Sequence, residues 1–220
     1  ELIPQEDKIE MTVLSANAFY YFNRTELQNK LILIEDLDGA ESVLYPLREL
    51  QSKKRITKTV VHKDSKGTTK TIHLTVEGPV SVAGCTTQES IYEDNSNRSF
   101  LLYIDESEIQ DKKIMQYQRL VSAGKVNESE QLKATELLCN VQRILKPIKV
   151  INPFAMHLEL PQSVFKPRRT NSHYLQFIEA VTFYKQYQRE QQVNEETGEL
   201  FIETTIEDIK EANELMDEWL

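Results

Sequence analysis

Glycine is scarce in this chain. Its 220 residues hold six, Gly39, Gly67, Gly78, Gly84, Gly124 and Gly198. None stands in the order G-x-x-x-x-G-K-[ST] that cradles nucleotide phosphates on backbone N–H groups. Gly124-Lys125 is followed by Val126 and has no glycine five residues before it. Cysteine is scarcer: Cys85 and Cys139 lie far apart and in no metal-ligand spacing, which predicts reduced structural thiols of a cytoplasmic protein. The four histidines, His62, His73, His157 and His173, are scattered and suggest neither a metal cluster nor a catalytic triad. No apolar run approaches the ~20 residues that span a bilayer, so a soluble chain without a membrane partner is expected. An initiator methionine and a signal-like segment are also missing. The opening Glu1-Leu2-Ile3-Pro4 reads as a piece of a longer protein.

At 40% hydrophobic residues the chain can bury one large or two small cores. A net charge of −9 argues against a protein that coats nucleic acid over its whole surface. The charge is uneven, however. Seven of the 26 basic residues (Lys53, Lys54, Arg55, Lys58, Lys63, Lys66 and Lys70) fall between Gln51 and Lys70, against the single acid Asp64. The remainder, 19 basic against 34 acidic, stands at about −15. A basic segment on an acidic body is a local electrostatic footprint.

The centre of the pattern is Leu31-Ile32-Leu33-Ile34-Glu35-Asp36-Leu37-Asp38. Four aliphatics followed at once by acids predict a strand covered on both faces that runs out to a functional edge. Open α/β sheets bind ligands beyond the carboxyl ends of their strands. Glu35, Asp36 and Asp38 would repel one another there unless a hard cation with a phosphate, typically Mg2+, is shared among them. The plainer alternative is an acidic strand end that faces water.

Elsewhere, residues 1–10 read as a polar lead-in. Residues 12–22 predict either a helix from Ser15 or a strand followed by a short helix. Val43, Leu44, Leu47 and Leu50 predict a helix over 41–51, with Pro46 tolerated early in it. Alternation over 56–60 and 71–76, around a turn-rich tip with Gly67 at positive φ, predicts a β-hairpin with a basic tip, ended by Gly78-Pro79. Residues 80–84 predict a second buried strand ending in Cys85-Thr86-Thr87, and 100–104 a third. Helices follow over about 105–122, from an Asp105-x-x-Glu108 cap, over 127–147, over 170–192, and after a Thr204-x-x-Glu207 cap. A turn at 194–198 returns through 200–203. Leu175, Ile178, Val181 and Tyr184 are the core candidates of the long helix, and residues 149–160 should be extended in part.

Taken in order, these parts resemble the second half of a AAA+-type P-loop ATPase. The runs LILIEDLDGAE, YPLRELQSKKRITKTV, GPVSVAGCTT, YEDNSNRSFLLYIDES and FKPRRTNSHYLQFIEAVTFYKQYQRE look like the C-terminal helicase-like half of bacterial mobile-element DNA primases with a CHC-type zinc finger. That resemblance implies a partial α/β ATPase core over 1–110, mostly parallel with an inserted hairpin at 52–77, then a mainly helical lid over 111–220. It also implies ATP and Mg2+ as cofactors, single-stranded DNA as partner and a homo-oligomeric ring. Glu35 and Asp36 would be the Walker B pair serving metal and attacking water, with Asp36 and Asp38 as metal ligands. Thr87 (or Thr86) would be sensor 1, and Arg98 a finger on the neighbouring subunit's phosphate. Lys58, Lys63, Lys66 and Lys70 would grip DNA phosphates, and Arg168 and Arg169 would reach a phosphate from the lid.

Two departures qualify this. The family's acidic pair runs Asp-Glu, whereas here it runs Glu35-Asp36, leaving open which carboxylate holds metal and which acts as base. With no phosphate loop, these 220 residues alone should not hydrolyse ATP. Two rival readings stay open. One is a Toprim-type metal-dependent primase or nuclease using Asp36-x-Asp38, which needs a glutamate on an earlier strand. Its candidates, Glu6, Glu10 and Glu26, follow no apolar strand. The other is a non-enzymatic, ATPase-like interaction module.

Overall fold

The computed structural model describes residues 2–15, 17–37, 41–63, 67–87, 99–161, 164 and 166–216. Contacts divide the chain into two compact units, Glu1–Gln142 and Arg143–Leu220.

The N-terminal unit is built on a three-stranded parallel sheet. Strands β1 (Lys8–Met11) and β2 (Lys30–Ile34) are joined by a connection that contains a 3-10 turn, Ala18–Tyr21. Helix α1 (Glu41–Lys53) and an antiparallel hairpin, β3 (Arg55–Lys63) with β4 (Thr69–Glu77), separate β2 from β5 (Val80–Gly84). The order across the sheet is β1-β2-β5, so the acidic strand is central, as its aliphatic run requires. Ile32 and Ile34 of β2, Val43, Leu47 and Leu50 of α1, Ile56 and Val76 of the hairpin base, and Phe19 and Leu27 of the connection form the core. The helical spacing of Val43, Leu47 and Leu50 is what lets α1 cover the sheet.

Sequence expectations are met at β2, at α1, at the hairpin and at Gly67, whose φ is +82°. Gly78 has a packing reason to be glycine: a Cβ there would lie 3.3 Å from the Leu50 carbonyl oxygen and 3.2 Å from the Val80 nitrogen. Other expectations give way. Residues 8–11 are not a lead-in but β1, whose Lys8 and Glu10 are the charges of an edge strand. In the 12–22 stretch, a 3-10 turn replaces the helix from Ser15. Residues 100–104 form no strand, and Leu102, Tyr103 and Ile104 are more than four-fifths exposed. The next helix, α2 (Glu108–Ser122), is capped by Ser107, whose Oγ accepts from the Gln110 N–H. Asp105 instead accepts from the Ser107 N–H. Neither α2 nor α3 (Glu128–Ile144) buries a residue, and Leu132 and Leu137 on α3 are exposed.

The C-terminal unit has its own core, drawn from Phe154 onwards. It is not helical alone. Strands β6 (Lys149–Ile151), β7 (Gln192–Val193) and β8 (Leu200–Glu203) form a sheet in the order β6-β8-β7. Helices α4 (Pro167–Tyr184) and α5 (Ile206–Met216) bring together Tyr174, Ile178, Val181, Ile209, Ala212 and Met216. Helix α4 starts at Pro167, whose fixed φ suits a first turn, and stops eight residues before Gln192, leaving Tyr184 half exposed. The cap of α5 is Thr205 with Asp208: the Thr205 N–H donates to Asp208 Oδ2 at 2.9 Å, and the Asp208 N–H to Thr205 Oγ1 at 3.4 Å. Asp208 is fully buried and also accepts from Lys185 Nζ at 2.9 Å and from Arg189. Burial by itself pushes the Asp208 carboxyl up, but the Thr205 N–H, Lys185 and Arg189 outweigh it and hold it below the ordinary aspartate range.

Candidate functional site

Parallel pairing puts the carboxyl ends of β1, β2 and β5 on one edge. Met11 lies opposite Ile34, and Ile34 opposite Gly84. The three strand ends are then laced together by backbone bonds. The Glu35 N–H donates to the Met11 carbonyl at 3.0 Å, the Cys85 N–H to the Ile34 carbonyl at 3.2 Å, and the Leu37 N–H to the Cys85 carbonyl at 2.9 Å. Thr12, Glu35, Asp36, Cys85, Thr86 and Thr87 therefore succeed the sheet along a single rim. Glu35, Asp36 and Thr87 are exposed on it. Thr12 Oγ1 donates to Glu35 Oε2 at 2.9 Å, which orients that carboxylate.

Gly84 supports this rim from below. A Cβ on it would lie 2.7 Å from Cγ and Cδ1 of Leu37 and 3.1 Å from the Ile34 carbonyl oxygen. The absent side chain is what lets the segment after Asp36 fold back across the end of β5.

The hairpin alternates between two faces. On one, Ile56 pairs with Val76, Lys58 with Leu74, Val60 with Ile72 and His62 with Lys70, running from a buried base to an exposed end. Lys58 belongs to the inner part of that face. Its Nζ donates to Asn17 Oδ1 and sits 5.3 Å from the centroid of the Tyr20 ring, so it fastens the hairpin to the β1–β2 connection. Arg24 performs a similar service at the other strand, donating to Glu77 Oε1 from Nε at 2.8 Å and from Nη2 at 2.6 Å. This hydrogen-bonded ion pair lowers the Glu77 pKa and raises that of Arg24. Lys63 and Lys70, by contrast, are exposed toward the distal end, where Lys63 lies opposite Thr69. On the outer face Thr59 Oγ1 and His73 Nδ1 are 2.9 Å apart.

Of the residues singled out in the sequence, Glu35, Asp36 and Thr87 share the rim, and Lys58, Lys63 and Lys70 share the hairpin. Arg168 and Arg169 lie in the C-terminal unit, exposed on the first turn of α4. Asp38, Lys66 and Arg98 lie outside the described residues. Thr12 was not anticipated. The signal available for it was the alternation Lys8-Ile9-Glu10-Met11 ending in a hydroxyl. Lys58 carried a signal as well, since its parity with Ile56 and Val60 places it on the packed face.

Exposed carboxylates on a rim of strand ends suit a cation that keeps several waters and takes one or two protein carboxylates, the manner of Mg2+. Among the described residues no three His, Cys, Asp or Glu side chains gather as a closed metal cage. The phosphate cradle is not in these 220 residues. No helix among the described residues is long and apolar enough to cross a membrane. No curated protein matches the chain. A family model does: the one described as the MTBMA_p00010 P-loop domain matches residues 1–147, more than half of the chain. The parallel α/β sheet with its polar carboxyl rim agrees with that match, and this chain belongs to the MTBMA_p00010 P-loop domain family, of the nucleotide-binding P-loop kind.

Proposed function

We propose that the chain is the Walker B and DNA-engaging half of an ATP-dependent DNA helicase or primase–helicase. The observation that carries this reading is the position of the hairpin. It is inserted between strand β2, which runs on into Glu35-Asp36, and strand β5, which runs on into Cys85-Thr86-Thr87, rooted in the same core as the rim, with Lys63 and Lys70 exposed.

In this reading Glu35 and Asp36 serve Mg2+ and the attacking water at the rim, with Thr12 orienting the Glu35 carboxylate. Bound Mg2+–ATP supplies the phosphoryl group whose transfer to water drives the motor. Thr87 sits at the end of β5, where it can sense the phosphate. Asp38 adds a carboxylate after the rim, and Arg98 acts on the neighbouring subunit of a ring. Lys63, Lys66 and Lys70 contact phosphates of single-stranded DNA without sequence preference. Arg168 and Arg169 offer two further exposed cations to a phosphate.

Glu10 gives a Toprim-type reading little help. Its partner across the sheet is Leu33, short of the rim, and its carboxylate is engaged by Lys8. The test is ATP turnover by the full polypeptide with and without single-stranded DNA, in wild type and in a Lys63→Ala/Lys70→Ala variant. Stimulation by DNA in the wild type and its loss in the variant are expected. Turnover that ignores DNA in both would overturn the motor reading.

A further inference from the structure

Helix α1 turns Val43, Leu47 and Leu50 to the sheet, and the opposite side of such a helix belongs to polar and charged residues. Tyr45 departs from that pattern. At 3.6 residues per turn it stands about 200° around the helix from Val43, and it is 57% exposed. Arg48, three residues on, lies over its ring, with Cζ 5.8 Å from the centroid. Glu49 and Lys53 continue the same side of the helix at four-residue steps and are joined by an ion pair.

A second tyrosine with a cation against its ring lies at the root of the hairpin, where Lys58 Nζ faces Tyr20. Burial raises the pKa of the Tyr20 phenol, with Tyr45 and Glu49 adding to it through space, and Glu49 and then Tyr45 raise that of Lys53. The outer side of α1 and the hairpin root are therefore within electrostatic reach of each other. A lone exposed tyrosine needs no explanation, but this one adjoins the basic segment. Lys53, Lys54 and Arg55, all exposed, follow at the end of its own helix and lead directly into β3.

Proteins that hold a single strand without reading its sequence combine a basic track for the phosphates with aromatic rings on which bases stack. Lys63 and Lys70 supply the track. Strands β3 and β4 carry no Phe, Tyr or Trp, so a ring must come from beside them. Tyr20 is half-buried and already faced by Lys58, which leaves Tyr45 as the open ring of the patch. We propose that Tyr45, with Arg48 over its ring, stacks a base of the single-stranded DNA whose phosphates the hairpin lysines hold. The inference rests on the DNA-binding reading and adds a contact to the bases, which the lysines do not make.

Binding by the full polypeptide of an oligodeoxythymidine and of an abasic strand of the same length and charge tests it. Wild type and Tyr45→Phe should hold the oligodeoxythymidine about five- to a hundredfold tighter than the abasic strand, and Tyr45→Ala should lose that preference. The salt dependence of affinity should be the same in all three, because no phosphate contact changes. Irradiation of a strand carrying 5-iododeoxyuridine should crosslink to the wild type at Tyr45, a readout that needs no variant. Equal affinity of the wild type for the two strands overturns the stacking site and leaves the lysine–phosphate reading intact. A preference kept in Tyr45→Ala, or crosslinks only at other residues, overturns the assignment to Tyr45. Failure of the wild type to bind either strand overturns the DNA-binding reading and this site with it.

Discussion

Thr12 and Glu35, twenty-three residues apart in the chain, meet at the ends of adjacent parallel strands, with Thr12 Oγ1 donating to Glu35 Oε2 at 2.9 Å. The bond exists because β1 and β2 are in register, Met11 beside Ile34, so the next residues of each strand leave the sheet together. It gives one carboxylate of the rim a defined orientation. In the full polypeptide, Thr12→Val should lower ATP turnover about two- to tenfold, the worth of one hydrogen bond, while Thr12→Ser retains it. The melting temperature should hardly move, since the site is exposed. A fall in stability without a fall in turnover would assign Thr12 to folding alone.

Gly84→Ala should destabilise the N-terminal unit by about 1–3 kcal/mol, because the added methyl meets the Leu37 side chain and the Ile34 carbonyl. Denaturant unfolding of Gly84→Ala, Leu37→Ala and the double variant would separate the two contacts. The double variant should recover part of the loss. No coupling between the substitutions would mean that the close approach to Leu37 does not matter.

Lys58, Lys63 and Lys70 should behave differently although all are hairpin lysines. Lys63→Ala and Lys70→Ala should each weaken single-stranded DNA binding and reduce the salt dependence of affinity by about 0.7 of a unit in log–log slope. Lys58→Ala should leave that slope unchanged and instead cost about 0.5–1 kcal/mol of stability, because its ammonium is committed to Asn17 and Tyr20. Equal slopes for all three variants would contradict the division.

Asp208 contributes to the acid limit of the C-terminal unit. Its folded carboxyl titrates below its unfolded value, so its stabilisation is complete above about pH 4 and drains away as pH falls through the lower, folded value. Lys185 is the mirror case. Glu211 and Asp208 raise its pKa, so its contribution is present below about pH 10.4 and is lost as pH rises through the raised value. Asp208→Asn should cost about 3 kcal/mol at neutral pH, leaving two cations without their shared acid, and should flatten the acid limb of the stability profile.

The parts legible in the sequence were those whose own residues decide them. The aliphatic run of β2, the apolar spacing of α1 and the alternation around Gly67 each answer to a local period. The misses share a cause in what lies across from the residue. β1 looked like a polar lead-in because charge guards an edge strand, and nothing in Lys8-Ile9-Glu10-Met11 announces its neighbour. Residues 100–104 have strand composition, yet pairing is a property of two strands, and among the described residues no strand includes them. Ser107 rather than Asp105 caps α2 because Asp105 closes the preceding turn, a choice between two good caps that spacing does not settle. The acids of the rim were found from the run itself, whereas Thr12 became visible only once β1 was placed beside β2.

The most direct measurement is DNA-stimulated ATP turnover by the full polypeptide in three forms: wild type, Glu35→Gln and Asp36→Asn. Stimulated turnover in the wild type, with a loss of at least a hundredfold in either variant, is the predicted result. Nucleotide binding kept in one variant and lost in the other would identify base and metal ligand respectively. Wild-type protein that binds the nucleotide but never turns it over, or variants as active as wild type, would contradict the claim that this rim is a hydrolytic site.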